Sequence, residues 1–477
     1  MKTHHESGPP PLASGPDQLP GRAQRKLLAA GLLGSSIEWY DFFLYGTAAA
    51  LVFPHVFFPH SSALMGTLLS FSTFWAGFLA RPIGGAIAGH LGDRHGRKPV
   101  VVVALLGMGL ATFLIGCLPG AGTIGVAAPL LLVVLRFAQG LACGGQWGGI
   151  VLLLTESASP KRRGFAGTFG QMGVPLGIIL GNSAFLLTTK LTSDDTFLSW
   201  GWRVPFFCSA LLFPVVLFIQ TKVEDTPEFE QLRRSAERGA RPQVAQAPLK
   251  EAVRGHWRSI LLGCGLLAAT NCLFYISNTG VLAYATAELG MDREALLTGS
   301  LLSSLVAVAA TLAAGAASDR FGRRPVILVG AVALVVWAFP YFWLVDTAKL
   351  GMLFVAVTVG AVFQSLTFGP LAAYLGELFA PRVRLSGASL AYQLAAITVS
   401  GGTPVIMTAL IARTGATWSV AVFVAVMGLV TTGCAWRLRE TNPASVRRDP
   451  QAVPGADGTG APGTDVDVAG AEAVAKA

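Results

Sequence analysis

Apolar residues along this chain gather into long runs of about 20 to 28 positions, and charged residues are largely confined to the stretches between them. At 1.5 Å of rise per helical residue, each run is long enough to cross a hydrocarbon core about 30 Å thick. The pattern predicts helices at roughly 27–53, 62–91, 99–118, 126–155, 164–190 and 203–221. After a polar interval it resumes at roughly 259–287, 295–317, 325–346, 350–379, 386–412 and 416–438. The expected fold is an all-α integral membrane protein of twelve transmembrane helices arranged as two six-helix pseudo-repeats.

Between the two sets of spans, residues 222–258 are charged and carry Pro227, Pro242 and Pro248, which suits a loop joining two bundles at 25–221 and 259–440. Residues 1–24 and 441–477 are rich in small residues and proline and are expected to be disordered. The first run is too long for a signal peptide and carries Glu38 and Asp41 without a small-residue cleavage site, so it is expected to remain as a span.

Composition narrows the function. The chain is 53% apolar and 13% charged, where a soluble domain carries about 25% charged residues, so it cannot solvate a water-exposed surface. A soluble enzyme, a disulfide scaffold and a nucleic-acid-binding domain are excluded, and the lipid bilayer is the expected environment. The net charge of +9 is informative through its location. With both termini in the cytoplasm, nearly all of the 35 Lys and Arg fall on the cytoplasmic side. The exceptions are Lys190, Arg203, Arg293, Lys349 and Arg413 on the far side, and Arg81 and Arg136 within spans. The six cysteines lie in apolar runs without a CxxC pair or nearby histidines, which reads as packing, with no metal site.

The two sets of spans repeat each other. Gly89-His-Leu-Gly-Asp93-Arg94-His-Gly96-Arg97-Lys98 recurs as Gly315-Ala-Ala-Ser-Asp319-Arg320-Phe-Gly322-Arg323-Arg324, each between the second and third spans of its half. Glu156, Pro160 and Arg163 recur as Glu377, Pro381 and Arg384 at a nearly equal offset. Parallel six-helix repeats around a midplane site are one way in which secondary transporters are built.

The paired Gly…Asp-Arg…Gly-Arg loops resemble the signature of the major facilitator superfamily over about 25–440. Further motifs resemble its metabolite:proton symporter family. These are Glu38-Trp-Tyr-Asp41-Phe, Ala80-Arg81-Pro82-Ile-Gly-Gly85, Arg136-Phe-Ala-Gln139-Gly140, Gly201-Trp-Arg203-Val-Pro205-Phe and Glu224-Asp-Thr-Pro227-Glu-Phe229. The resemblance implies uptake of small carboxylates and zwitterions such as dicarboxylates, citrate, shikimate, proline and betaine. One position departs from the family pattern: Gly144-Gly145 is followed by Gln146 where a glutamate is usual, which removes a carboxylate from the fourth span. By the same resemblance, Asp93 and Arg97 with the basic run Lys161, Arg162 and Arg163 form a conformational latch on the cytoplasmic side. Gly89, Arg94, Gly96, Glu156, Asp319, Arg320, Gly322, Arg323 and Glu377 complete it.

An ionised side chain inside a bilayer is costly unless it is paired or faces water. Four lie deep within spans: Glu38, Asp41, Arg81 and Arg136. They read either as ion pairs tying the first, second and fourth spans together or as coupling machinery. Glu38 and Asp41, three apart, share a helix face, and two carboxylates so close resist double ionisation. Asp41 is expected to carry the coupling proton, with Glu38 second and Arg136 as the switching partner. Asn271, Tyr275 and Asn278 form one helical stripe on the seventh span, which otherwise lacks deep charge. With Arg81, Tyr40, Gln146, Gln171, Gln364, Tyr392 and Gln393 they are the candidate substrate-binding residues.

The leading expectation is a proton-coupled importer that works by rocking of its halves, acts as a monomer and needs no cofactor besides the proton. A uniporter of the same substrate class that lost coupling through Gln146 is the alternative. A membrane-embedded enzyme lacks a ligand-spaced or nucleophilic cluster, and a sensor lacks an appended signalling domain.

Overall fold

A computed structural model describes residues 21–95, 97–144, 151, 154–155, 158–159, 161–211, 248–379 and 383–442. No strand occurs among them, because only helices and closed barrels satisfy every backbone polar group within a bilayer.

The first half contains α1 (Gly21–Leu51), α2 (Ala63–His95), α3 (Arg97–Cys117) and α4 (Ala127–Cys143). It continues with α5 (Arg163–Leu191) and α6, which begins at Arg203–Cys208. The second half contains α7, built from Pro248–Leu266, Ala268–Tyr275, Ile276–Gly280 and Val281–Ala287, then α8 (Arg293–Phe321), α9 (Arg323–Val345) and α10 (Leu350–Glu377). It ends with α11, built from Arg384–Ala395, Ala396–Ser400 and Thr403–Thr414, and α12 (Trp418–Arg437).

Equivalent pairs pack in both halves: α1 with α5 and α7 with α11, α2 with α4 and α8 with α10, α3 with α4 and α9 with α10. The halves meet through α5 with α8 and α10, α2 with α11, and α1 with α7. Small residues set the closest approaches. Gly140 lies against the Gly77 carbonyl and Gly84 against the Leu141 carbonyl, which locks α2 to α4. Gly173 and Gly177 receive Ser35, Trp39 and Tyr40, which locks α5 to α1.

Two boundaries differ from the sequence pattern. α7 begins at Pro248, so the end of the expected 222–258 loop is helical and turns into the span through a kink at His256, where φ is −130° and ψ is 22°. Likewise α1 starts at Gly21, inside the expected N-terminal tail. Both starts are polar, so hydropathy could not mark them. The tail from 443 onward and most of the loop lie outside the described residues.

Candidate functional site

The four deep charges converge on the ring of Phe42. Glu38 and Asp41 arrive from α1, Arg81 from α2 and Arg136 from α4, and all four are at most 5% exposed. The Arg81 and Arg136 guanidinium carbons lie over the Phe42 ring at 4.6 and 4.7 Å. Phe78 completes the Arg81 surroundings, and Tyr45 and Phe74 those of Arg136, at 4.9, 4.1 and 4.8 Å. Aromatic faces thus supply electron density that lipid cannot, worth about 2 kcal/mol per desolvated contact.

Of the two readings of the deep charges, mutual ion pairing is not what the structure shows. No described carboxylate lies within 4 Å of either arginine. Glu38 Oε1 accepts a hydrogen bond from Cys143 Sγ at 3.0 Å, and neither Asp41 oxygen has a hydrogen-bond partner. Arg136 Nη1 donates to Gln139 Oε1, Gln139 Nε2 donates to Thr112 Oγ1 at 2.8 Å, and Thr112 donates to the Met108 carbonyl at 2.9 Å. A cavity of about 10 Å³ sits between Phe42, Arg81, Met108, Arg136, Gln139 and Cys143, with room for about one water.

The second half closes over this cluster. Tyr275 packs its ring against Phe42, Phe74 and Phe78 at 6.2, 5.9 and 5.6 Å. Tyr275, Tyr392, Cys143 and Glu38 are the electrostatic neighbours of Arg81. Gln393 Nε2 donates to the Gly144 carbonyl at 2.9 Å and Gln171 Nε2 to the Phe368 carbonyl at 3.2 Å, so both glutamines bridge the halves through main-chain oxygens. α7 and α11 each carry a π-helical segment here, Ile276–Gly280 and Ala396–Ser400. The wider turn of α11 leaves the Ile397 carbonyl to accept from Trp75 Nε1 of α2 at 2.9 Å.

The π segment also splits the seventh-span stripe, because one extra residue per turn rotates everything beyond it. Tyr275 faces the charged cluster. Asn278 faces a second cavity of about 40 Å³, lined also by Pro175, Ser277, Ser303, Thr311 and Gln364, with space for a few waters. Asn271 is half-buried and lines neither cavity. Tyr40 lies near Asp41, but its hydroxyl is taken up by the Pro205 carbonyl of α6, to which it donates at 2.7 Å.

At the basic end of the bundle, Asp319 accepts from the Gly164 and Phe165 amides at the start of α5, at 2.9 and 2.8 Å, and from Arg323 Nη1 at 2.6 Å. Arg323 is fully buried, and its Nε lies 3.5 Å from Glu377. Gly322, at φ 105°, makes the sharp turn that aligns these groups. Glu440 caps α9 by accepting from the Arg323 and Arg324 amides at 3.0 and 2.9 Å. Arg320 is exposed over Phe321. Arg162 is exposed and Arg163 half-buried, and neither side chain forms an ion pair among the described residues, so α5 contributes its amides rather than this basic run. Gly96, Gln146 and Glu156 lie outside the described residues, as do the side-chain surroundings of Gly89, Asp93, Arg94 and Arg97.

At the opposite end, Lys190 at the end of α5 meets Glu294 of α8 at 4.0 Å, and Asp194, in the turn that follows α5, meets Arg293 of α8 at 3.4 Å. Deeper in, Thr47 donates to Asn182, Asn182 to Ser300 and Ser300 to Asn278, at 3.0, 3.0 and 3.5 Å, linking α1 and α5 to α8 and α7. The halves thus touch at both ends of the bundle as well as at the charged cluster. Sequence reading missed Phe42, Thr112, Thr47 and Ser300, since a Phe, Ser or Thr inside a span carries no mark that separates it from packing; Asn182, a lone amide within the fifth span, carried the same signal as Asn271 and Asn278. Gln139, one turn from Arg136, was within reach of the helical spacing.

The sugar (and other) transporter family model matches residues 27–447. The inner membrane metabolite transport protein YhjE of Escherichia coli K12 is 40% identical over 392 residues, covering 81% of this chain and 88% of that protein. The shikimate transporter of the same organism is 37% identical, covering 89% and 96%, and its proline/betaine transporter 34%, covering 85% and 82%. Among solved structures, the partially occluded inward-open xylose transporter XylE of E. coli superposes with a TM-score of 0.69 over 88% of this chain and 99% of that one, at 17% identity, a likeness of fold alone. The chain belongs to the sugar (and other) transporter family of the major facilitator superfamily, and is a membrane-spanning metabolite transporter rather than an enzyme.

Proposed function

We propose that this protein imports a small carboxylate or zwitterion together with a proton by alternating access, with its basic end and both termini in the cytoplasm. The observation that carries the reading is the set of buried charges beside the interface of the halves, held by rings and a thiol instead of by each other. A purely structural set of two acids and two bases gains most by pairing, because an unpaired buried charge keeps its desolvation cost. Left apart, Arg81 is available to a substrate carboxylate entering between α2 and the Tyr275 and Tyr392 of the other half. Asp41 is available to a proton, with Glu38 as a second acid and Arg136 as the neighbouring base. The relatives' printed substrates, shikimate and proline or betaine, fall within this class.

Uptake into proteoliposomes, measured for a panel of carboxylates and betaines with and without an imposed inward proton gradient, tests the reading. Accumulation above the external concentration with the gradient alone is expected. Equilibration that ignores the gradient identifies facilitated diffusion, in line with Gln146 in place of an acid.

A further inference from the structure

Arginine has only donors, so the Arg136 to Gln139 contact fixes the direction of every bond that follows. Gln139 must turn its carbonyl oxygen to Arg136, which leaves its NH2 to donate to Thr112 Oγ1. Thr112, accepting from Gln139, has one hydrogen, and it goes to the Met108 carbonyl. The same hydroxyl lies within interaction reach of the Asp41 carboxyl, but its hydrogen points to Met108, and neither carboxyl oxygen receives a bond of good geometry. Such surroundings suit the neutral acid. A hydroxyl also has two lone pairs and one freely rotating hydrogen, so Thr112 can keep the Gln139 bond and swing its hydrogen from Met108 to Asp41.

We propose that Gln139 and Thr112 are positioning residues that connect Arg136 to Asp41, Thr112 turning its hydrogen to the carboxylate whenever the proton leaves. All the bonds from Arg136 through Gln139 and Thr112 to Asp41 then point one way, so each strengthens the next. Arg136 stabilises the ionised acid without leaving its ring of aromatics. No proton travels along the chain; only the Thr112 hydroxyl rotates. The charged or titratable groups that face Asp41 are Arg136 on α4 and Tyr40 on α1; Arg136 in turn has Tyr45 on α1, Arg81 on α2, Cys143 on α4 and Tyr275 on α7 around it, and Glu38 on α1 lies against Cys143 and Arg81. α3 faces Asp41 with the Thr112 hydroxyl.

The inference rests on the proton-coupled reading, and its test separates the two. Gradient-driven uptake by reconstituted wild-type protein, followed against external pH, declines on the alkaline side as the loaded acid loses its proton. Thr112→Val removes a donor from the ionised form only, so this decline is expected to move up by about one pH unit. Thr112→Ser keeps the hydroxyl and is expected to stay at the wild-type position. Gln139→Met is expected to shift the same way as Thr112→Val, with the double variant shifting no further than Thr112→Val alone. Substrate exchange at one acidic pH reports folding, and Thr112→Ala replaces the valine variant if that variant fails to reach the membrane. An unshifted Thr112→Val in a coupled transporter overturns the relay and leaves symport standing. A downward shift in Gln139→Met overturns it in favour of a direct Arg136 to Asp41 pair. Wild-type uptake that ignores the gradient removes both.

Discussion

Asp41 is a buried acid whose oxygens meet no donor, while the neighbouring Arg136 is occupied with Gln139 and three rings. Under the proton-coupled function proposed above, such a residue exchanges its proton without first breaking an ion pair. Asp41→Asn retains the shape and removes the titration. It is expected to abolish accumulation driven by a proton gradient while substrate exchange between the two sides of the membrane continues. Proteoliposome uptake and counterflow measured side by side check this, and undiminished accumulation removes Asp41 from the mechanism. Glu38 is one turn away but differs in kind, since its oxygen already accepts from Cys143.

At the scale of helices, the close approaches of α2 and α4 hold the two arginines over one ring. Gly140 tolerates no β-carbon, because one would collide with the Gly77 carbonyl and with Ala80 on the facing helix. Gly140→Ala is expected to force α2 and α4 apart and destabilise the protein by about 1–3 kcal/mol, as overpacking does in tight cores. Thermal unfolding in detergent measures it, with Gly433→Ala as the control, since a β-carbon there meets nothing within 4 Å. The π segments of α7 and α11 act at the same scale in the opposite sense. They break helical regularity so that Tyr275 faces the charges and a main-chain carbonyl reaches Trp75.

For the whole molecule, contacts between the halves occur at both ends of the bundle among the described residues. The basic end is held by Asp319 across two amides of α5, and the opposite end by Arg293 and Lys190 with their acids. Exposed surface pairs contribute little, so the half-buried Asp319 contact is the stronger of the two. Asp319→Asn loses the charge and one amide acceptor. It is expected to raise labelling of cysteines placed between the halves at the basic end by about tenfold. Unchanged labelling leaves Asp319 with a role in local helix capping alone.

Hydropathy determined the number of spans, the division into halves and the location of the deep charges, because a bilayer penalises polar side chains wherever they sit along a span. The repeated loop motif, by its spacing alone, placed Asp319, Gly322 and Arg323 at helix ends. How the charges are satisfied was decided only by tertiary packing. Aromatic residues look alike in a hydrophobic run, so nothing in the chain distinguished Phe42, Tyr45 and Phe74, which cradle the arginines, from those that meet lipid. The phase of α7 was equally hidden, since a π turn leaves the period of the sequence intact while rotating Asn278 away from Tyr275. Thr112 came beside Gln139 and Asp41 only when α1, α3 and α4 packed together, and contact between distant segments is a property that no local pattern carries.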